Sequence, residues 1–368
     1  MKRILLFVVL SAVLLSLWGC NEKQAARPFI TKWKGKAGQE LKIPILGTYT
    51  LTWYNEATPN ERHTQQVTVL SEKFNVNDWH EIEEITPFTL TIPTDGIYVV
   101  EAGPDGVEGM SRRFDDETDY DDYAEDLLLV VQFGDVVWKR LDNAFLWSAN
   151  MQFDKDIDTP NLSQCTTMSG MFNGCTKFNL PLEHWDVSAV TDMSNMFEYC
   201  MAFNQPLEKW DVSQVTDMQG MFGECRAFNQ PLAQWNVSAV TNMKDMFREC
   251  SSFNQPLERW DVSAVTDMRG MFSNCSSFNQ PLERWNVAKV TTMRFMFEGC
   301  TSFKQSLEAW EIDPIAHAEG MQGMFNGTPA ARLPFVAKWR AAGYQLGISD
   351  EEQIPDMVEA NEEKIEEE

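Results

Sequence analysis

Six cysteines stand 25 residues apart, at Cys175, Cys200, Cys225, Cys250, Cys275 and Cys300, and an acid or amide recurs at the same interval at Asp186, Asp211, Asn236, Asp261 and Asn286. A column of thiols could close disulfides, hold a metal or supply a nucleophile, and a column of carboxylates could move protons. Stacked thiols pointing in parallel suit the Cα separation of a disulfide but not its dihedral angle. No pair has the CxxC spacing of a metal site, and the column continues into Ser148 and Thr328. Buried free thiols are therefore the expectation, with disulfides or a metal as the alternatives. Asn236 and Asn286 cannot act as acid or base, but an amide accepts the same hydrogen bond as a carboxylate. A structural bond to the neighbouring coil is expected there. His63, His80, His184 and His317 fall at unrelated positions, and no nucleophile motif accompanies them. The acidic run Asp115–Asp122 spaces its oxygens like a calcium loop but has Tyr120 where the turn requires glycine, so it reads as a solvated loop. No catalytic residue, metal site or cofactor is assigned.

What must position these columns is a repeat. Met171-Phe172-x-x-Cys175 returns as Met196-Phe197-x-x-Cys200 and on to Met296-Phe297-x-x-Cys300, and Phe203-Asn204-Gln205-Pro206-Leu207 and Trp210-Asp211-Val212-Ser213 recur between. A fixed period of this length marks a solenoid, whose units bury their apolar sides only by stacking. Val190, Met193, Met196, Phe197 and Cys200 lie at offsets suited to one helix face, with Thr191 as its cap. Trp210 and Val212 alternate about Asp211 as in a short strand, and Asn204 and Pro206 supply the turn between. Stacked strands would lie about 4.8 Å apart in a parallel sheet. The tryptophans Trp185 through Trp310 are expected in the core, an exposed stripe being the alternative. The methionine columns are expected to fill space between coils.

Copies differ most in the pair after the leucine: Glu183-His184, Glu208-Lys209, Ala233-Gln234, Glu258-Arg259, Glu283-Arg284 and Glu308-Ala309. Placed just before the strand, these side chains should face solvent on or beside the sheet. Glu183, His184, Glu208, Lys209, Gln234, Glu258, Arg259, Glu283 and Arg284 form the candidate binding strip. A solvated strip of alternating charge is the plainer alternative.

Met-Phe-x-x-Cys-x-x-Phe resembles the Ala-Phe-x-x-Cys-x-x-Leu segment of BspA-like leucine-rich repeats, over residues 161–327. The resemblance implies a leucine-rich-repeat-like solenoid on a bacterial surface lipoprotein with adhesion as its role, and no reaction. Leu141, Ala144, Phe145, Ser148 and Met151 read as a degenerate upstream cap. Downstream, Met321, Met324, Phe325 and Thr328 follow an insertion near Pro314, and Phe335 and Trp339 are expected to close the end.

Before the repeats, Leu41–Ile45, Thr48–Trp53, Gln66–Leu70, Phe88–Ile92, Gly96–Val100 and Leu127–Val131 alternate like strands, so residues 28–135 are expected to form a small all-β, sandwich-like domain. Phe29–Trp33 and Gly47-Thr48-Tyr49 resemble the opening of PKD-like domains. The fold class is thus an α/β repeat solenoid, with short parallel strands and helical turns, over residues 136–348, preceded by that β-domain. Residues 349–368 carry 10 acids and 1 base and read as a disordered acidic tail.

At the N-terminus, Lys2 and Arg3 precede an apolar run from Ile4 to Trp18, as in a secretory signal. Leu17-Trp18-Gly19-Cys20 resembles a bacterial lipobox, which implies removal of the signal peptide and lipidation of Cys20; an ordinary secretory signal or an uncleaved anchor is the alternative. Asn21 after the cysteine points to the outer membrane or cell surface. The net charge is −25, with no basic face of the kind that neutralises phosphate. Nucleic acid is excluded as a partner, and the membrane is reached through the lipid alone. The expected role is a non-catalytic binding or adhesion module for a host or environmental protein or polysaccharide. The alternative is a structural spacer that holds the β-domain away from the membrane.

Overall fold

The computed structural model describes residues 25–77, 80–112, 126–312 and 320–346. The signal peptide and Cys20, the acidic run at 115–122 and the tail at 349–368 lie outside them.

The first strands are β1 (Phe29–Gly35), β2 (Glu40–Ile43), β3 (Ile45–Asn55), β4 (His63–Val69), β5 (Ser71–Asn77) and β6 (His80–Ile85). They continue with β7 (Phe88–Thr91), β8 (Gly96–Ala102), β9 (Val107–Met110), β10 (Leu127–Gln132) and β11 (Gln152–Phe153). Five of the six expected segments each overlap one of these strands, and Leu41–Ile45 is divided at Pro44 between β2 and β3. β11, β10, β1, β8, β3 and β4 make one sheet in that order, with β9 also paired to β3. The alternation in β1 turns Phe29, Thr31, Trp33 and Gly35 inward. The separate β2–β7 ribbon buries Leu41, Ile43 and Leu90 in the same core as Trp33, Tyr49, Leu51 and Val100, which gives the domain its second layer. The remaining pair, β5 and β6, is an antiparallel hairpin.

The repeats differ from expectation in their local geometry. No helix forms along Val190–Cys200; the single α-helix among the described residues is α1 (Pro334–Ala341). Alternate N–H groups of this segment instead reach the next coil, Met193 to Asp217 O, Asn195 to Gln219 O, Phe197 to Met221 O and Tyr199 to Gly223 O, at 2.7–3.0 Å. Those between them close three-residue turns, Met196 to Met193 O, Glu198 to Asn195 O and Cys200 to Phe197 O. A helix would have spent all these donors internally. The alternation requires left-handed residues, at Asn195 and Tyr199 here and at equivalent sites in every coil. Thr191 is no helix cap: its N–H and hydroxyl both donate to Thr166 O of the preceding coil.

The parallel bridges between coils run through Thr167, Asp192, Asp217, Asn242, Asp267 and Thr292, not through Trp210–Val212. The buried–exposed–buried pattern of that stretch is real, but its cross-coil bond comes from the side chain: Trp210 Nε1 donates to Leu182 O at 2.9 Å, and each later tryptophan does likewise. The line of bridges begins inside the β-domain, where Gly109 of β9 pairs with Arg140 and Arg140 with Thr167. β9 therefore acts as the coil before the first coil.

The core is continuous from one end to the other. Phe29 meets Trp138 edge-on at 5.0 Å, and Phe133 meets Trp185 at 5.5 Å. The upstream coil Leu141–Met151 is consequently interior, and the β-domain is what shields that end. At the other end Phe335 and Trp339 pack on Phe325, at 6.0 and 6.3 Å. Within the array Phe172, Phe197, Phe222, Phe247, Phe272 and Phe297 stack nearly parallel, with centroids 5.6–5.7 Å apart.

Candidate functional surface

The thiol column lies wholly inside the solenoid. Each Sγ–H from Cys175 to Cys300 donates to the carbonyl of the column phenylalanine in the preceding coil, at 2.8–3.0 Å. All seven described cysteines are unbridged and buried. Burial pushes the Cys165 and Cys175 thiols up to about 12 and raises the other five as well, so none is a thiolate nucleophile near neutral pH. Thr328 makes the same bond to Phe297 O, which explains why other small donors stand in the column. The tryptophans are buried too, so they form no exposed stripe.

The acid–amide column bonds within its own coil, not to the neighbouring one. Asp186 Oδ1 accepts from Ser188 N and Oγ at 3.2 and 2.6 Å, and Asn236 accepts the same pair from Ser238. Asp or Asn suffices because only an acceptor two residues before the donor is needed. The cross-coil amide ladder falls elsewhere: Asn204 N and Gln205 Nε2 both donate to Asn179 Oδ1, and the pattern recurs through Asn279 and Gln305.

Two of the sets of charged side chains at the solenoid surface contrast. The first flanks the hydrogen-bonded ladder. Arg248 lies 3.6 Å from Glu198, 3.3 Å from Glu224 and 3.5 Å from Glu249, and Arg226 lies 3.3 and 3.2 Å from Glu224 and Glu249. Desolvation raises the Glu198 carboxyl, and Arg248 offsets part of that rise. These charges are committed to one another across coils.

The second set is the strip. A β-turn closed by Trp210 N to Leu207 O at 3.0 Å carries Glu208 and Lys209 at its two central positions, and every coil repeats it. Leu207 and Trp210 are buried on either side, so the central pair projects outward. His184, Glu208, Lys209, Gln234, Arg259, Glu283 and Arg284 are exposed, and Glu183 and Glu258 are half-buried. The strip thus occupies a turn, apart from the bridge line, and not the start of a strand. Glu183 and His184 lie 3.7 Å apart. Among the described residues Lys209, Arg259 and Arg284 make no ion pair.

The left-handed sites escaped the reading of the sequence, although a signal for them exists. Gly170, Asn195, Gly220, Asp245 and Gly270 occupy one column, drawn from the residue types that tolerate positive φ. Glycine alternates there with a larger residue because the larger one lies over the next coil's glycine. A Cβ on Gly220 would stand 2.3 Å from Asn195 Oδ1, and one on Gly270 2.1 Å from Asp245 Oδ1.

Residues 139–247, and again residues 231–339, match the family described as "Mycoplasma protein of unknown function, DUF285", the two matches together spanning more than half of the chain. No curated protein and no solved structure matches the chain.

Proposed function

The chain belongs to the DUF285 family, and from that premise we propose that it is a non-catalytic surface module. On this reading it is anchored by lipid at Cys20 on the outer membrane or cell surface. Its repeat array binds an extended or repeating partner, a host or environmental protein or polysaccharide. Kinship with BspA-like adhesins and a PKD-like ancestry for the β-domain belong to the same reading. It requires no cofactor and no nucleic acid, and the membrane is touched only by the lipid.

The observation that carries the proposal is the contrast between charge that is spent and charge that is available. Equivalent turns present Lys209, Arg259 and Arg284 at one place in three of four consecutive coils, without an ion-pair partner among the described residues, while the ladder charges neutralise one another. A rigidly repeated polar strip loses little conformational freedom on meeting a repeating ligand, which favours affinity.

The test is binding of the whole chain to immobilised matrix proteins, plasma proteins and polysaccharides. Replacing Lys209, Arg259 and Arg284 together by Glu should abolish saturable binding. Replacing Lys155, Lys289 and Lys304 by Glu changes the net charge equally and should leave binding intact. Equal loss in both variants would reduce the effect to overall charge, and no loss in either would remove the strip from the proposal.

The spacer reading is supported by one observation, the uninterrupted core between the β-domain and the first coils. Such a junction transmits orientation rigidly, as a spacer should. Binding by the whole chain that strip variants leave unchanged would favour it.

A further inference from the structure

The β-domain holds a cleft of about 470 Å³ that the repeat chemistry leaves untouched, within the ~300–1,000 Å³ range of small-molecule sites. Trp53, near the end of β3, stacks on its cross-strand partner His63 of β4, with centroids 5.5 Å apart and planes 20° from parallel. Phe88 also lies near the indole, tilted 51° to it with centroids 5.9 Å apart. Every tryptophan of the column from Trp185 to Trp310 is buried, whereas Trp53 and Phe88 keep part of their surface open. The Trp53 indole N–H has no hydrogen-bond partner among the described residues, although Trp33 and the tryptophans from Trp210 to Trp310 all donate.

Uncharged polar groups are fixed beside these rings. Asn55 Nδ2 donates to Thr94 Oγ1 at 3.4 Å, Thr94 Oγ1 lies 3.3 Å from the Tyr98 hydroxyl, and Tyr98 donates to Thr94 O at 2.9 Å. Gln65 lines the same cleft and makes no side-chain hydrogen bond among the described residues. Among the described residues no lysine or arginine lines it, and Glu61 is the one carboxylate there. Arg62, beside it in sequence, is held by Glu101 and lies 4.3 Å over the Tyr54 ring.

A ligand matching this lining must be neutral, must present a flat apolar face and must carry many hydroxyls. We propose that the cleft binds a neutral oligosaccharide, with the Trp53–His63 stack against the C–H face of one pyranose and Asn55, Gln65 and Thr94 bonding its hydroxyls. Aromatic faces carry partial negative charge that attracts polarised C–H groups, and positioned amides and hydroxyls supply orientation. The absence of a lining cation sets this ligand apart from the partner of the charged strip.

The whole chain, kept in a detergent without a sugar headgroup, would be titrated calorimetrically with cellohexaose, laminarihexaose, mannohexaose and chitohexaose. One of the four should bind saturably at one site per chain. Trp53→Ala should weaken that binding about tenfold. Gln65→Ala, at an exposed strand position that does not threaten the fold, should weaken it about threefold. The triple strip variant should bind like wild type. No saturable binding by any hexaose overturns the proposal, as does binding that both cleft variants leave unchanged. Binding of decaproline without any hexaose also overturns it, in favour of a peptide groove.

Discussion

Arg248 and Arg259 stand eleven residues apart on one coil's course, yet they do different things. Arg248 sits on the ladder, where the rise between coils brings Glu198 and Glu224 within reach, and it is largely covered. Arg259 sits at the tip of a turn in open solvent and meets no carboxylate among the described residues. In a solenoid the fate of a surface charge depends on whether the rise between coils brings an opposite charge within reach. Where it does, neighbours neutralise each other and contribute to stability; where a glutamate and a cation instead share one turn, as at Glu208-Lys209, Glu258-Arg259 and Glu283-Arg284, the pair is offered outward. The ladder holds the coils together, and the strip faces outward.

Substitution beneath both surfaces should have the largest effect. Phe222→Ala removes one ring from the continuous stack and should cost about 3–5 kcal/mol, measured by denaturant unfolding. The loss should appear as early melting of the flanking coils, because each coil is stabilised mainly by its neighbours. A cost below about 1 kcal/mol would mean that the ladder, not the aromatic stack, holds the array.

Alkali should act on the same interior. The thiol pKa values are raised in the folded chain, to about 12 at Cys165 and Cys175, and a free thiol titrates near 8.5. The unfolded chain therefore releases protons first as pH rises, so stability is full below about pH 8.5 and falls above it, by about 1.4 kcal/mol per pH unit for each thiol. Unfolding free energies between pH 8 and 11 should show this slope, and Cys225→Ser should make it shallower. A flat profile would show that the column is open to solvent.

The alternating column offers a finer test. Gly220→Ala places a Cβ at positive φ and against Asn195 Oδ1, and should cost about 1–2 kcal/mol. Adding Asn195→Gly removes the clash but not the strain, so the double variant should recover part of the loss. Strict additivity in the cycle would disprove the alternation as a packing device.

That column also shows what the sequence made legible and what it hid. Periodicity placed Met193, Met196, Phe197, Cys200 and Trp210 in the core, and the structure buries them all. The same offsets of three and four residues fit both a helix and a string of three-residue turns. Burial periodicity does not report φ, and the deciding signal lay in the glycine at every second coil. Trp210–Val212 alternates in burial like a strand, but alternation says nothing about which backbone groups pair, and the bridges fell to the Asp192 column. Exposure of the strip could be read because Leu207 and Trp210 bracket it. Its place on a turn could not, because the bond from Trp210 N to Leu207 O leaves no mark on residue type. The cleft at Trp53 was hidden altogether, since it depends on pairing β3 with β4 and on the position of Phe88.

The smallest effect on stability should come from the strip, and this test bears most directly on function. Arg248→Met leaves half-buried Glu198 without its cation and buried Glu224 with Arg226 alone, and should cost about 1–2 kcal/mol, since their oxygens are poorly hydrated. Lys209, Arg259 and Arg284 have no such dependents. Their joint replacement by Glu should change the unfolding free energy by less than about 0.5 kcal/mol, even though it alters the net charge by six. The same replacement should abolish partner binding. Loss of stability comparable to that of Arg248→Met would mean that the strip, like the ladder, is used to hold the coils, and would leave no difference between the two faces on which recognition could rest.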